Sequence, residues 1–213
     1  MSRPGFFVVL EGPEGSGKST LLGPLAERMR AVGIEPVVVR EPGSTRTAEI
    51  ARQALLDPEH PVSPLAELFL YLAARADLVQ TVIEPALAAG RVVLSDRFAL
   101  TTEAYQMAGR KLDANLVRAG NHAATHGLRP DLTLIIDLAP EIGLARQVAA
   151  GKRQDRLERE SAEFHRRVVE YYLAVRGSGV RHLDGRLPPD QLLQAAWLEV
   201  RAAAPETFRS AVS

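Results

Sequence analysis

The segment Phe6-Phe7-Val8-Val9-Leu10-Glu11-Gly12-Pro13-Glu14-Gly15-Ser16-Gly17-Lys18-Ser19 decides how the chain is read. The apolar run ending at Leu10 has the pattern of a buried strand, and the residues from Gly12 fit G-x-x-x-x-G-K-[ST] at every fixed position. Three glycines let the backbone wrap close to an anion. The first amides of the following helix point at that anion, and the helix dipole favours its charge. Gly12, Pro13, Glu14, Gly15, Ser16, Gly17, Lys18, Ser19 and Thr20 are therefore the candidate cradle for nucleotide phosphates. In this reading Lys18 is a solvent-facing cation on the β and γ phosphates, and the Ser19 hydroxyl holds Mg2+. An ordinary glycine-rich turn needs none of the fixed positions in this strand-to-helix context.

Pro36 to Val39, Val92 to Leu94 and Leu132 to Ile136 are further apolar runs, and Val180 to Leu183 is a weaker fifth. Longer amphipathic stretches separate them, over Leu21 to Val32, Pro64 to Ala89, Leu112 to His126, Glu141 to Ala150 and Leu157 to Val175. Buried strand alternating with helix predicts an α/β fold of P-loop NTPase type, with a parallel five-stranded sheet and helices on both faces. Ligands of such sheets bind beyond the carboxyl ends of the strands.

The chain has 213 residues, 46% of them hydrophobic, enough for one substantial core, so 1–213 is expected to form one domain. Lys plus Arg and Asp plus Glu number 26 each, so no global field draws the protein to nucleic acid or to an anionic membrane. The absence of cysteine excludes a disulfide framework and a thiolate metal site, and it fits a reducing compartment such as the cytoplasm. The opening apolar run is too short for a signal peptide, and no stretch reaches the length of a membrane span.

A phosphate cradle is shared by GTPases, motor ATPases and small-molecule kinases. N-K-x-D and D-x-x-G, expected of a GTPase, occur nowhere in the chain, and a motor ATPase would be longer. Two apolar runs lead into aspartates that can support magnesium, Asp96 and Asp137. Asp96 is preferred because Arg97 follows it and can neutralise a phosphate in the same crevice. Glu14 places a carboxylate beside the phosphates, where it suits a metal-water or acceptor-orienting role. No histidine sits at a strand end, yet a phosphate monoester is largely a dianion at neutral pH and needs no base. It needs cations and alignment, for which Arg75, Arg97 and the cluster Lys152, Arg153 and Arg156 are candidates. His122 and His126 have zinc-like spacing, but position 123 is Ala and no third ligand is evident, so they read as surface or partly buried histidines.

The chain resembles bacterial thymidylate kinases over nearly its whole length. The match runs through Glu11-Gly12-Pro13-Glu14-Gly15-Ser16-Gly17-Lys18-Ser19, Arg40-Glu41-Pro42-Gly43, Ala73-Ala74-Arg75, Asp96-Arg97-Phe98, Ala104-Tyr105-Gln106, Arg129-Pro130-Asp131-Leu132-Thr133 and Asp155-Arg156-Leu157-Glu158. The resemblance implies a homodimeric kinase that uses ATP and Mg2+ to phosphorylate dTMP. It implies that Arg75 and Arg97 grip the acceptor phosphate, that Tyr71 stacks on thymine, and that Glu41 and Pro42 border the acceptor. Thr101 and Thr102 would meet the base edge, with Gln106 a nearby polar candidate, and Tyr105 would crowd the 2′ position of the sugar. It also implies a lid over about 150–158, in which Arg153 or Arg156 supplies the catalytic charge, because the phosphate loop itself holds no Arg. Phe98 departs from the family in standing where Tyr or His is common, which removes a side-chain hydrogen bond. Two other readings stay open here: a kinase of another nucleoside monophosphate or small phosphate, and a non-catalytic nucleotide-binding module. The second would be expected to lose Lys18, Asp96 or the arginines, and all are present.

Overall fold

The computed structural model describes residues 5–149, 151 and 154–208. Five parallel strands, β1 (Phe6–Glu11), β2 (Val37–Arg40), β3 (Val92–Asp96), β4 (Leu132–Asp137) and β5 (Val180–Asp184), form one sheet in the order β2-β3-β1-β4-β5. β1 is central and buried throughout, which is why its sequence is continuously apolar rather than alternating. Its side chains still divide between two cores. Phe6, Val8 and Leu10 pack with Leu25 and Met29 of α1 (Lys18–Arg30) and with Trp197 and Val200 of α9 (Pro189–Ala203). Phe7 and Val9 face the other way, among Leu78, Ile83, Val93 and Phe98.

The remaining helices are α2 (Arg46–Leu56), α3 (Pro64–Leu78), α4 (Glu84–Ala88), α5 (Ala99–Thr102), α6 (Ala114–Thr125), α7 (Pro140–Ala149), α8 (Ala162–Ala174) and α10 (Pro205–Phe208). Several begin where a short polar side chain accepts from the first turn: Thr45 from the Ala48 amide, Asp113 from Leu116 and Ser161 from Phe164.

Two expectations need correction. The stretch 64–89 is not one α-helix, because Pro85 cannot donate to the ladder and the chain widens to a π-helix over Val79–Ile83 ahead of it. A second π-helix, Glu103–Gly109, continues α5. The helix expected from Leu157 starts only at Ala162, because Ser161 caps it and 157–159 form turns. The strands β1, β3, β4 and β5 each run on to end in an acid, Glu11, Asp96, Asp137 and Asp184.

Candidate active site

The site starts with the loop between β1 and α1. Gly12, Gly15 and Gly17 all have positive φ, and a Cβ at Gly12 would lie 2.6 Å from the Ile136 carbonyl oxygen. No other residue fits the Gly12 turn so close to β4. Lys18 is not the solvent-facing cation its place in the motif suggests. It is buried, and its ammonium donates to the carbonyls of Gly12 and Pro13, both at 2.8 Å, and to Ser16 Oγ at 3.3 Å. Burial lowers its pKa to about 8, helped by Arg97 and resisted by Glu14 and Asp96.

The pairing of Leu10 with Asp96 in the β1–β3 register sets the strand-three aspartate beside this loop. Ser19 Oγ donates to Asp96 Oδ2 at 3.2 Å, while Asp96 Oδ1 is buried and has no hydrogen-bond partner. A hydroxyl and a carboxylate with one oxygen unengaged form a hard-oxygen set suited to Mg2+. Asp137, the alternative acid, faces His182 instead, with His182 Nδ1 at 2.9 Å from each carboxylate oxygen. Among the described residues no group of three His, Cys, Asp or Glu could hold a metal ion, and both His122 and His126 are exposed.

Arg97 follows Asp96 with φ 75, and its side chain reaches back to the loop. One amino group pairs with Glu14, and the other donates to Thr101 Oγ1 at 3.2 Å and to the Gly12 carbonyl at 3.4 Å. The guanidinium lies 5.2 Å from the ring centre of Tyr105, whose hydroxyl donates to Glu14 at 3.0 Å. Burial, then the charge of Glu14, pushes the Tyr105 phenol well up, so it stays a neutral donor.

These groups open on a cavity of about 870 Å³, large among ligand pockets. On the β2 side it is lined by Glu41, Pro42, Tyr71, Thr101, Tyr105 and two arginines not among the expected site residues, Arg40 and Arg52. On the β5 side it is lined by Gly185, Leu187, Pro189, Asp190, Leu192 and Leu193. The loop after β1 sits between, as the strand order requires. Arg52 donates to the Pro42 carbonyl at 2.8 Å, and burial lowers its pKa.

Other expected residues lie elsewhere. Arg75 is fully buried and does not line the cavity; its guanidinium is committed to Glu41, Thr102 Oγ1, Asn121 Oδ1 and the Phe98 carbonyl. Thr102 and Gln106 are likewise buried off the cavity, Gln106 donating to Glu67 at 2.7 Å. Sharing a helix face with Tyr71 therefore does not bring Arg75 to the same space. Arg153 lies outside the described residues. Arg156 is held away from the cavity: it pairs with the fully buried Glu67 at 2.6 Å and donates to the Leu55 carbonyl at 3.0 Å. Burial alone would raise the Glu67 carboxyl, but hydrogen bonds from Arg110, Gln106 and Arg156 hold it below its ordinary value. Its neighbour Asp155 does line the cavity.

The family model for thymidylate kinase matches residues 10–194. The chain is similar to the thymidylate kinase of Synechococcus sp. (strain JA-2-3B'a(2-13)), with 46% identity covering 93% of this chain and 96% of the relative. It is similar to that of Deinococcus radiodurans, with 43% identity covering 92% and 96%, and to that of Thermomicrobium roseum, with 43% identity covering 96% and 99%.

Proposed function

The chain belongs to the thymidylate kinase family, and we propose from the geometry how its residues move the γ-phosphoryl group of ATP onto dTMP, giving ADP and dTDP. The observation that carries the assignment of roles is the single cavity wall shared by the phosphate loop, Asp96, Arg97, Tyr71 and Tyr105. ATP lies with its phosphates in the loop and its base toward the β5 side, among Leu187, Pro189 and Leu192. The acceptor enters from the β2 side, its base against Tyr71 and its sugar against Tyr105.

Two anionic chains must meet in line, and cations make that possible. Lys18 leaves the Gly12 and Pro13 carbonyls for the β and γ oxygens of ATP. Arg97 and Arg52 hold the acceptor phosphate. This departs from pairing Arg97 with Arg75, and the reason is that Arg75 has its N–H groups committed behind the wall. The acceptor dianion attacks without a base. Ser19 and Asp96 would hold Mg2+, which would supply neutralising charge to the phosphates. Glu14 keeps Arg97 and Tyr105 aligned, and a carboxylate there is well placed to accept from an acceptor sugar hydroxyl.

We further propose that 1–213 works as one cytoplasmic domain with a lid over about 150–158, and as a homodimer. Leu65 and Phe69 share one face of α3 and are 44% and 53% exposed, an apolar strip that a second copy would cover.

The test is phosphoryl transfer from ATP to a panel of nucleoside monophosphates. dTMP should lead, dUMP should be weaker by the roughly 10- to 200-fold that a lost methyl costs, and ribonucleotides should be weaker still because a 2′-OH displaces Tyr105. Equal use of AMP or CMP would refute the acceptor assignment.

A further inference from the structure

Glu11 is a carboxylate that the mechanism above leaves unused. It is the last residue of β1, fully buried, and four donors converge on it. Oε1 accepts from the backbone amides of Phe98 at 2.9 Å and Thr101 at 3.1 Å. Oε2 accepts from Thr101 Oγ1 at 2.6 Å and from the Tyr172 hydroxyl at 2.9 Å.

The two amides belong to the start of α5, whose N-cap residue is Phe98. A phenyl side chain cannot cap, and the helix has no side-chain cap of its own. Glu11 takes over that task from a different strand. The turn it closes contains Arg97 with φ 75, a costly state for a non-glycine residue that persists only when its surroundings hold it. The Arg97 amide is tied to the carbonyl of Leu10 at 2.9 Å, so both ends of the turn are fixed to consecutive residues of β1. Beyond the turn, Thr101 Oγ1 gives its proton to Glu11 and accepts from Arg97 Nη1 at 3.2 Å. Glu11 thus sets both the backbone that aims Arg97 and the hydroxyl that receives it.

We propose that Glu11 is a positioning residue for acceptor binding: its carboxylate caps α5 from β1 and fixes the Arg97 turn and the Thr101 hydroxyl, with Tyr172 of α8 as the outer support. The proposal rests on the reading of Arg97 as an acceptor clamp. It differs from a general structural role in predicting asymmetry between substrates. The arginine turn faces the acceptor, while ATP is held by loop amides and Lys18, none of which bonds to Glu11.

Three variants test this: Glu11→Ala, Glu11→Gln and Tyr172→Phe. Glu11→Ala should raise the KM for dTMP on the order of ten-fold or more while the KM for ATP stays within about three-fold, since only acceptor contacts are disordered. The stabilisation of Tm by dTMP should shrink in step, and that by ATP should persist. Glu11→Gln, which keeps one oxygen for the two amides, should recover most of the loss, and Tyr172→Phe should raise the KM for dTMP by a few-fold. Backbone amide exchange should speed up at Phe98 and Thr101 in Glu11→Ala and remain slow in Glu11→Gln. Should Glu11→Ala not fold, the other two variants and their exchange rates decide the question on the same criteria. Equal changes in the KM of both substrates, or unchanged dTMP kinetics in all three variants, would overturn the proposal. Fast exchange at both amides of the parent would do so as well. A parent that fails to phosphorylate dTMP at all, with the two amides protected, would refute the acceptor reading and, with it, the acceptor role given to Glu11, leaving only the cap.

Discussion

Lys18 ties the binding of ATP to the uptake of a proton. In the free protein its ammonium is buried against two carbonyls and a hydroxyl, and burial lowers its pKa from 10.5 to about 8. Bound phosphates replace neutral carbonyl partners with anionic oxygens, which favours the charged form and pushes the pKa back up, keeping Lys18 charged in the complex. The proton taken up equals the fraction of Lys18 neutral before binding: about 0.1 at pH 7, about 0.5 at pH 8 and about 0.9 at pH 9. The sign follows directly. Because the complex binds more protons than the free protein above pH 8, ATP affinity falls as pH rises, by up to about ten-fold per unit. Calorimetric titration of ATP in buffers of different ionisation heat measures the uptake at each pH. An uptake near zero at pH 9, or an affinity flat from pH 7 to pH 9.5, would show that Lys18 is already an ordinary exposed lysine and that the buried geometry is wrong. The same depressed pKa bears on folding. A lysine lowered in the folded state costs stability below pH 8, and that cost is relieved as pH rises toward 10.5, by about 3 kcal/mol in all. The stability difference between parent and Lys18→Met should change by that amount across the window.

Two further outcomes follow from the site. Arg156→Ala should cost about 2 kcal/mol of stability, less than an isolated buried pair because Arg110 and Gln106 still compensate Glu67. Its kcat should stay within a few-fold; unchanged stability with a kcat lowered by about 10²-fold would return Arg156 to the role of lid charge. Asp96→Asn should raise the Mg2+ concentration giving half-maximal rate by on the order of ten-fold or more, and an unchanged magnesium dependence would remove Asp96 from the metal site.

Much of this architecture was legible because buried parallel strands write themselves as short apolar runs, and all five stand where those runs predict. The phosphate cradle was legible for a related reason: Gly12 and Lys18 are demanded by backbone geometry and charge within a few residues of each other. What failed depends on distance in sequence. Arg52 sits in α2, whose buried stripe of Ala48, Ala51 and Leu55 says which face packs inward but nothing of whether the neighbouring arginine faces the cavity. Glu67 and Arg156 lie on separate elements, and neither residue carries a local sign of the other. The π-helices at Val79–Ile83 and Glu103–Gly109 have no 3.6-residue signature to betray them.

The arginines show how local reading and tertiary geometry divide the work. Arg75 and Arg156 each pair with a buried acid, Glu41 and Glu67, and neither arginine lines the cavity; Arg97 does line it, and so does its more exposed partner Glu14. A guanidinium whose partner is sealed in the core cannot be released without stranding that carboxylate, at a cost of several kcal/mol. One whose partner is open to the cavity, as Glu14 is with 24% of its side chain exposed against 4% for Glu41, can exchange a carboxylate oxygen for a phosphate oxygen with little desolvation change. The arginine available for acceptor phosphate is therefore set by how exposed its acid is, and sequence alone supplies the arginines without saying which acids are open. Glu41 sharpens the point: it lines the cavity edge, yet its Oε2 is pinned by Arg75 while its Oε1 has no partner. Arg75 thus bears on the acceptor through Glu41, as a support for the wall.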